Sequence, residues 1–406
     1  MSTPLSPDRV TSGVAGTARA TSVVGLAMMA MNALAYLFTL LSAHLLGPTA
    51  FGAVGALLGV LIVGNVGSLA LQATAARRLA TADPRHVAGV AHDVVRSAWT
   101  VAIGLGLLLL AAAPLMDRLL QLDDVLAAAM VAVSCVPLTL MGAFAGIVQG
   151  QRRWTSLALI YVSMGVGRAA GGAVALVLEP SLRSAMIGVA AGSVAPALVG
   201  HALCRAPVVG AGDHEPVIGE LWRNGHTLLA FFAFTNFDVL LARHLFSHDD
   251  AGIYAAGAIL AKACLFLPAF VLVVAFPSMA GDRAGRAWVK PLLAVLGLGV
   301  VAVAGAALLP DLAVAFAGGS EYEELGQVAW LFALEGTLFA AVQILVYDAI
   351  AGQSHSAVVL WLGVVAMVAV ALPVVDSTRV LVGLTAVVAA GVGLVTSLMP
   401  GASHPD

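Results

Sequence analysis

Residues 42–52 read SAHLLGPTAFG, and residues 242–252 read ARHLFSHDDAG. His44/His244, Leu45/Leu245 and Gly52/Gly252 recur two hundred residues apart, each stretch lying where one apolar run ends and the next begins. A chain that repeats itself halfway along, inside hydrophobic sequence, is expected to be a duplicated membrane bundle with its functional site between the halves.

Composition agrees. Of 406 residues, 61% are hydrophobic and 10% charged, and the mean hydropathy is +1.00. A soluble domain of this size needs a more polar surface. Crossing a bilayer takes about 20 apolar residues, and twelve runs qualify: 22–46, 53–76, 97–116, 125–148, 155–178, 184–204, 225–246, 253–280, 289–309, 325–347, 356–375 and 380–399. The sequence therefore predicts an all-α polytopic protein with a tail at 1–21, a six-helix lobe at 22–204, a cytoplasmic linker at 205–224, a second six-helix lobe at 225–399 and a tail at 400–406. Six spans per half is an even number, so both halves enter the membrane from the same side and the repeat is parallel. Ala33-Leu34-Ala35 could pass for a signal-peptide cleavage site, but it falls inside the first span, so an uncleaved helix is expected.

Lys and Arg set the orientation. With the N-terminus inside, thirteen bases fall on inner segments, and only Arg118, Arg183 and Arg379 on outer ones. Both termini are expected to be cytoplasmic. Nothing in the charge pattern suggests nucleic-acid binding. Cys135, Cys204 and Cys264 all fall within spans and are expected to pack rather than to form disulfides. There is no Walker A motif and no H-E-x-x-H, so ATP hydrolysis, metal chemistry and a cofactor are not expected. The outer links are too short to build a glycan ligase or polymerase site.

Two families are built from parallel six-helix halves. Gly281-Asp282-Arg283-Ala284-Gly285-Arg286 resembles the major-facilitator signature, but the link between spans 2 and 3, RRLATADPRHVAG, lacks it. An ordered set of motifs resembles the polysaccharide (O-antigen-type) flippase branch of the multidrug/oligosaccharidyl-lipid/polysaccharide superfamily. HLLGPTAFG at 44–52 is similar to that branch's first link. Gln149-Gly150-Gln151-Arg152-Arg153-Trp154, followed by Arg168, resembles its step from helix 4 into helix 5. Asn236-Phe237-Asp238 with Ala251-Gly252-Ile253-Tyr254-Ala255-Ala256 matches its helices 7 and 8. Phe276-Pro277 and Gly319-Ser320-Glu321-Tyr322 complete the order. The resemblance implies a V-shaped, MATE-like pair of lobes in a bacterial cytoplasmic membrane. It also implies a polyprenyl-diphosphate glycan as substrate, with membrane lipids and glycan polymerases or glycosyltransferases as partners.

An ionisable group at the bilayer centre costs roughly 2.5–3.5 kcal/mol on insertion scales, which makes each one a candidate for function. Counting from span ends puts Arg168 and Glu335 near the midplane and Asp238 level with Lys262. Asp238 and Lys262 could form a structural ion pair, or Lys262 could face the cavity and bind an anion. Arg168, among Gly165, Gly167, Gly171 and Gly172, could cap backbone in a tight bundle or grip a diphosphate bidentately. Glu335 could carry a proton or sit neutral on a backbone hydrogen bond. Asn32 and Asn236 are interhelical bonders or sugar contacts, and Arg152 and Arg153 mark the inner mouth. Arg243 is expected to snorkel to the interface. Helix 1 carries no charge, only Asn32, whereas relatives that flip peptidoglycan precursor bear basic residues there, so the resemblance does not extend to that substrate. A cation-coupled exporter, favoured by Phe231, Phe232, Phe234 and Phe237, and a non-transporting scaffold remain as alternatives.

Overall fold

A computed structural model describes residues 7–204, 217–266, 288–317, 319–351 and 356–398, and among them regular structure is helical throughout, without a strand. In hydrocarbon every backbone N–H and C=O must be satisfied within its own segment, which an apolar helix does. The N-terminal half comprises α1 (Pro7–Gly64), α2 (Val66–Thr81), α3 (Val87–Leu119), α4 (Val125–Gly150), α5 (Trp154–Leu178) and α6 (Leu182–Leu203). The C-terminal half comprises α7 (Val217–Phe234), α8 (Phe237–Leu245), α9 (His248–Phe266), α10 (Val289–Leu308) and α11 (Pro310–Ala317). A 3₁₀ turn (Ser320–Gln327) follows, then α12 (Ala329–Ala351), α13 (Ser356–Val374) and α14 (Thr378–Leu398). Ten of the described helical stretches are long and apolar enough to cross a membrane, as expected of a multi-pass protein.

Sequence explains the breaks. Within α1 the helix breaks at Gly47, whose φ of 66° suits glycine, and restarts at Pro48, whose fixed φ is set for a first helical turn. The first two sequence-predicted spans thus abut with almost no link. Asp124 caps α4 by accepting from the Ala127 N–H at 3.1 Å, Ser181 caps α6 through the Ser184 N–H at 3.2 Å, and the Arg183–Asp124 ion pair at 2.9 Å joins the two starts. The link expected at 77–96 is mostly helix: α2 runs on to Thr81 and α3 begins at Val87, leaving five residues between. At 33 residues α3 is about 50 Å long, well beyond the hydrocarbon thickness.

The two lobes have separate cores. One cluster runs from Phe38 to Val189, and two others draw on residues from Ala230 to Val392. Ala43 and Phe51 of the first lobe are embedded in a second-lobe cluster, with Phe51 edge-on to Tyr322 at 6.3 Å. The repeat noticed in the sequence lies on the contact itself. Thr49 hydrogen-bonds Asp249, and Gly52 lies against the backbone of Gly252 so closely that a Cβ on either would overlap its neighbour. Equivalent residues that touch each other mark the position of a pseudo-two-fold axis. The linker at 205–224 is undescribed up to Val217, and the Phe276-Pro277 motif, the Gly281–Arg286 signature and the C-terminal tail lie outside the described residues.

Candidate functional site

Helix 7 is not continuous. It stops at Phe234 and restarts at Phe237, with Asn236 at φ −132°, ψ −6° between α7 and α8. Thr235 and Asn236 satisfy part of the opened backbone themselves: the Thr235 hydroxyl donates to Phe231 O at 3.1 Å and the Asn236 amide to Phe232 O at 2.8 Å. Asn236 is therefore occupied in bridging the break, although its Oδ1 is buried without a partner. The break starts α8, whose first turn carries Asp238.

Asp238 is 2% exposed and accepts a hydrogen bond at Oδ2 from the Tyr254 hydroxyl at 3.1 Å, while Oδ1 has no partner. Tyr254 is wholly buried, packed edge-on to Phe332 at 5.1 Å, with Thr385 beside its hydroxyl. The sequence motif contained Tyr254 but assigned it no role, and Thr385 gave no signal at all. The clue was available in principle, since a tyrosine in the middle of an apolar helix needs a partner for its hydroxyl.

Glu335 is completely buried, and neither carboxylate oxygen has a hydrogen-bond partner, so the expected backbone bond is not formed. Its neighbour Gly336 packs directly on the Ala261 backbone, which sets Glu335 beside Lys262. Lys262 is half-buried, and its electrostatic neighbours are Asp238, Arg168 and Glu335. No ion pair within 4 Å links Lys262 to either acid among the described residues. The expected depth match with Asp238 also fails. α9 begins at His248 rather than 253, so Lys262 lies eight residues, about 12 Å, deeper along α9 than Tyr254, to which Asp238 is bonded. The charges form a column that descends from Asp238 through Glu335 to Lys262.

Arg168 approaches that column from the other lobe. Its guanidinium sits over the Phe38 ring, 5.7 Å from the centroid, and its Nε is buried and unpartnered. The four glycines around it serve packing: Gly165 faces Met31, Gly172 faces the Phe38 ring, and Gly167 and Gly171 meet backbone of Gly192 and Gly188. They bring α1 and α6 close rather than leaving room for a ligand. Asn32 lies half-buried on the same stretch of α1, next to Met31. Arg152 and Arg153 are far from the column, at the turn into α5. Arg153 donates to Leu203 O at 2.9 Å, tying that turn to the end of α6, and Arg152 is exposed with φ 58°.

Four of the expected residues thus converge: Asp238, Glu335 and Lys262 from one lobe and Arg168 from the other. Two acids and two bases balance in formal charge, which lowers the cost of holding them in hydrocarbon. The two carboxylates are closed off, whereas both bases keep part of their surface free.

No protein-family model matches the chain, and no curated protein matches it. Solved structures do. An inward-facing multidrug-resistance MATE transporter of the MOP superfamily superposes with a TM-score of 0.74 at 13% identity, covering 91% of this chain and 94% of that one. A eukaryotic MATE transporter gives 0.65 at 14% identity over 95% and 96% of the two chains, and an outward-facing multidrug-resistance MATE transporter 0.64 at 14% over 93% and 94%. The fold is that of the MATE transporters, two six-helix lobes arranged as a V.

Proposed function

We propose that this chain is an alternating-access flippase that carries a polyprenyl-diphosphate-linked oligosaccharide from the inner to the outer leaflet of a bacterial cytoplasmic membrane. The observation that supports this best is the approach of Arg168 and Lys262, one base from each lobe, both partly accessible and close enough to repel each other, so that an anion between them would relieve the repulsion. A diphosphate between them would be gripped by both lobes at once. Transferring such a headgroup unaided means burying its charge in hydrocarbon, and a basic site between the lobes lowers that barrier. The lipid tail would stay in the bilayer. The larger overlap with the inward-facing neighbour, 0.74 against 0.64 for the outward-facing one, supports an inward-open state for the chain as described here.

A second reading, a cation-coupled exporter of small molecules, draws on the buried carboxylates Asp238 and Glu335, whose free oxygens could exchange a proton or hold a cation. The two are separated in proteoliposomes. The flippase should reorient a fluorescent polyprenyl-diphosphate glycan, and Arg168→Gln or Lys262→Gln should each slow it by about tenfold or more, since a hydrogen bond to a charged group is worth about 1.5–3 kcal/mol. Cells depleted of the protein should retain lipid-linked glycan on the inner leaflet. Unchanged glycan sidedness together with loss of drug efflux would overturn the flippase in favour of the exporter.

A further inference from the structure

At the end of the bundle that carries the 44–52 and 244–252 links, side chains of each lobe cap a helix terminus of the other. A helix leaves its last four carbonyls without internal partners. Where α3 ends and turns, three successive carbonyls are taken by the second lobe: His244 Nδ1 lies 3.1 Å from Leu119 O in the last turn, Arg243 Nε donates to the C-cap Leu120 O at 2.9 Å, and Arg243 Nη2 donates to Gln121 O, in the turn beyond, at 3.0 Å. Arg243 Nη1 reaches Thr49 O at 3.4 Å. Arg243 is only 3% exposed, so it does not snorkel to the interface as the sequence suggested; it is buried against the opposite lobe. The matching arm runs the other way. Ala43 occupies the position equivalent to Arg243, and its carbonyl, four residues before the Gly47 break, accepts from the Tyr322 hydroxyl at 3.1 Å. Tyr322 is fully buried, and burial raises its hydroxyl above the ordinary phenol range, so it remains a donor. Between the arms lie the Thr49–Asp249 bond and the Gly52–Gly252 contact on the axis.

We propose that these two arms form a breakable gate that holds this end shut in the inward-open state, with Arg243 as its principal fastening. The chemistry suits a fastening that must open. The hydrogen-bond acceptors are neutral carbonyls, and the one carboxylate in the field of Arg243, Asp123, forms no hydrogen bond with it and lies on the exposed turn after α3, so no buried counter-ion is left stranded when the lobes part. The guanidinium and the carbonyls sit at helix ends next to the outer solution, where water takes over their hydrogen bonds on separation. The site between Arg168 and Lys262 lies deeper on the same lobe contact, so release toward the outer side requires the gate to break. This inference rests on the alternating-access reading, and its test measures lobe separation directly, without a substrate.

Spin labels at Arg118→Cys and Glu323→Cys, in full-length protein with its three native cysteines replaced and held in lipid nanodiscs, report the width of this end without touching Asp123, which lies in the field of Arg243. The native gate should give a short-distance population. Arg243→Ala should raise the long-distance population by about tenfold, Tyr322→Phe by less, and Arg183→Ala, whose ion pair with Asp124 lies within one lobe, should leave it unchanged. A Thr49→Cys/Asp249→Cys pair should oxidise readily, block glycan flipping and recover it on reduction. The gate is overturned if Arg243→Ala and Tyr322→Phe leave the distances native, or if the disulfide-locked protein flips at the native rate. If Arg243→Ala does not accumulate, Tyr322→Phe and the cysteine pair decide. Distances that respond as expected in a protein that moves no glycan would retain the gate and remove the proposed substrate.

Discussion

Lys262 has two kinds of suitor. Asp238 and Glu335 already occupy its field, and any anionic ligand must compete with them for the same ammonium. Removing one carboxylate charge should therefore strengthen ligand binding while slowing release. Asp238→Asn is expected to tighten binding of a soluble polyprenyl-diphosphate headgroup analogue by roughly tenfold, since a unit charge about 12 Å away is worth roughly 1.4 kcal/mol at an effective dielectric near 20. Calorimetric titration of the purified protein checks this, and unchanged affinity would place the ligand away from Lys262. The sequence identified these residues because charge inside an apolar run is rare and costly. It could not show that Asp238 accepts the hydrogen bond of the Tyr254 hydroxyl, because the two are sixteen residues apart and meet only through the fold. Nor could it show how Arg168 is held, since Phe38 looks like any other core phenylalanine until its ring is found beneath the guanidinium.

Among the elements, α5 and α6 form the tightest pair, with Gly167 and Gly171 on one side interlocking with Gly192 and Gly188 on the other. A side chain at Gly192 would strike the Gly167 backbone one residue from Arg168, so Gly192→Leu should push the helices apart. Overpacking of this kind costs about 1–3 kcal/mol, and a lowered midpoint of thermal unfolding in detergent, compared with Gly391→Leu on open surface, is the measurement. The positions of the helices were largely legible from sequence, because uninterrupted apolar runs leave the backbone no alternative to a helix, but their ends were not: α3 begins at Val87, ten residues before the run at 97–116. The break at Thr235–Asn236 was not. No glycine or proline marks it, and the apolar run of 225–246 continues straight through. Residues 310–324 fell between two predicted spans, and nothing in them foretold the short helix α11, the start of the 3₁₀ turn or the burial of Tyr322 at the lobe contact.

On the scale of the whole molecule, duplication was legible from a few matched residues, and the two-lobed fold followed from counting spans. Orientation rests on the bias of Lys and Arg and can be tested separately. A cysteine at Arg152 should react with a membrane-impermeant maleimide only from the inner side of sealed vesicles, and one at Glu323 only from the outer side; the reverse pattern would invert the molecule and with it the direction of transport. The axis through Thr49–Asp249 and Gly52–Gly252 carries a consequence of another kind. A surface that meets its own copy about a two-fold is the surface of a homodimer, so a six-helix ancestor could have assembled there before its gene doubled. In such a dimer every buried charge comes twice, whether or not it has work to do. Fusion removes that constraint: at the offset of two hundred residues Asp238 corresponds to Phe38 and Lys262 to Ile62, so one half carries charges that the other lacks.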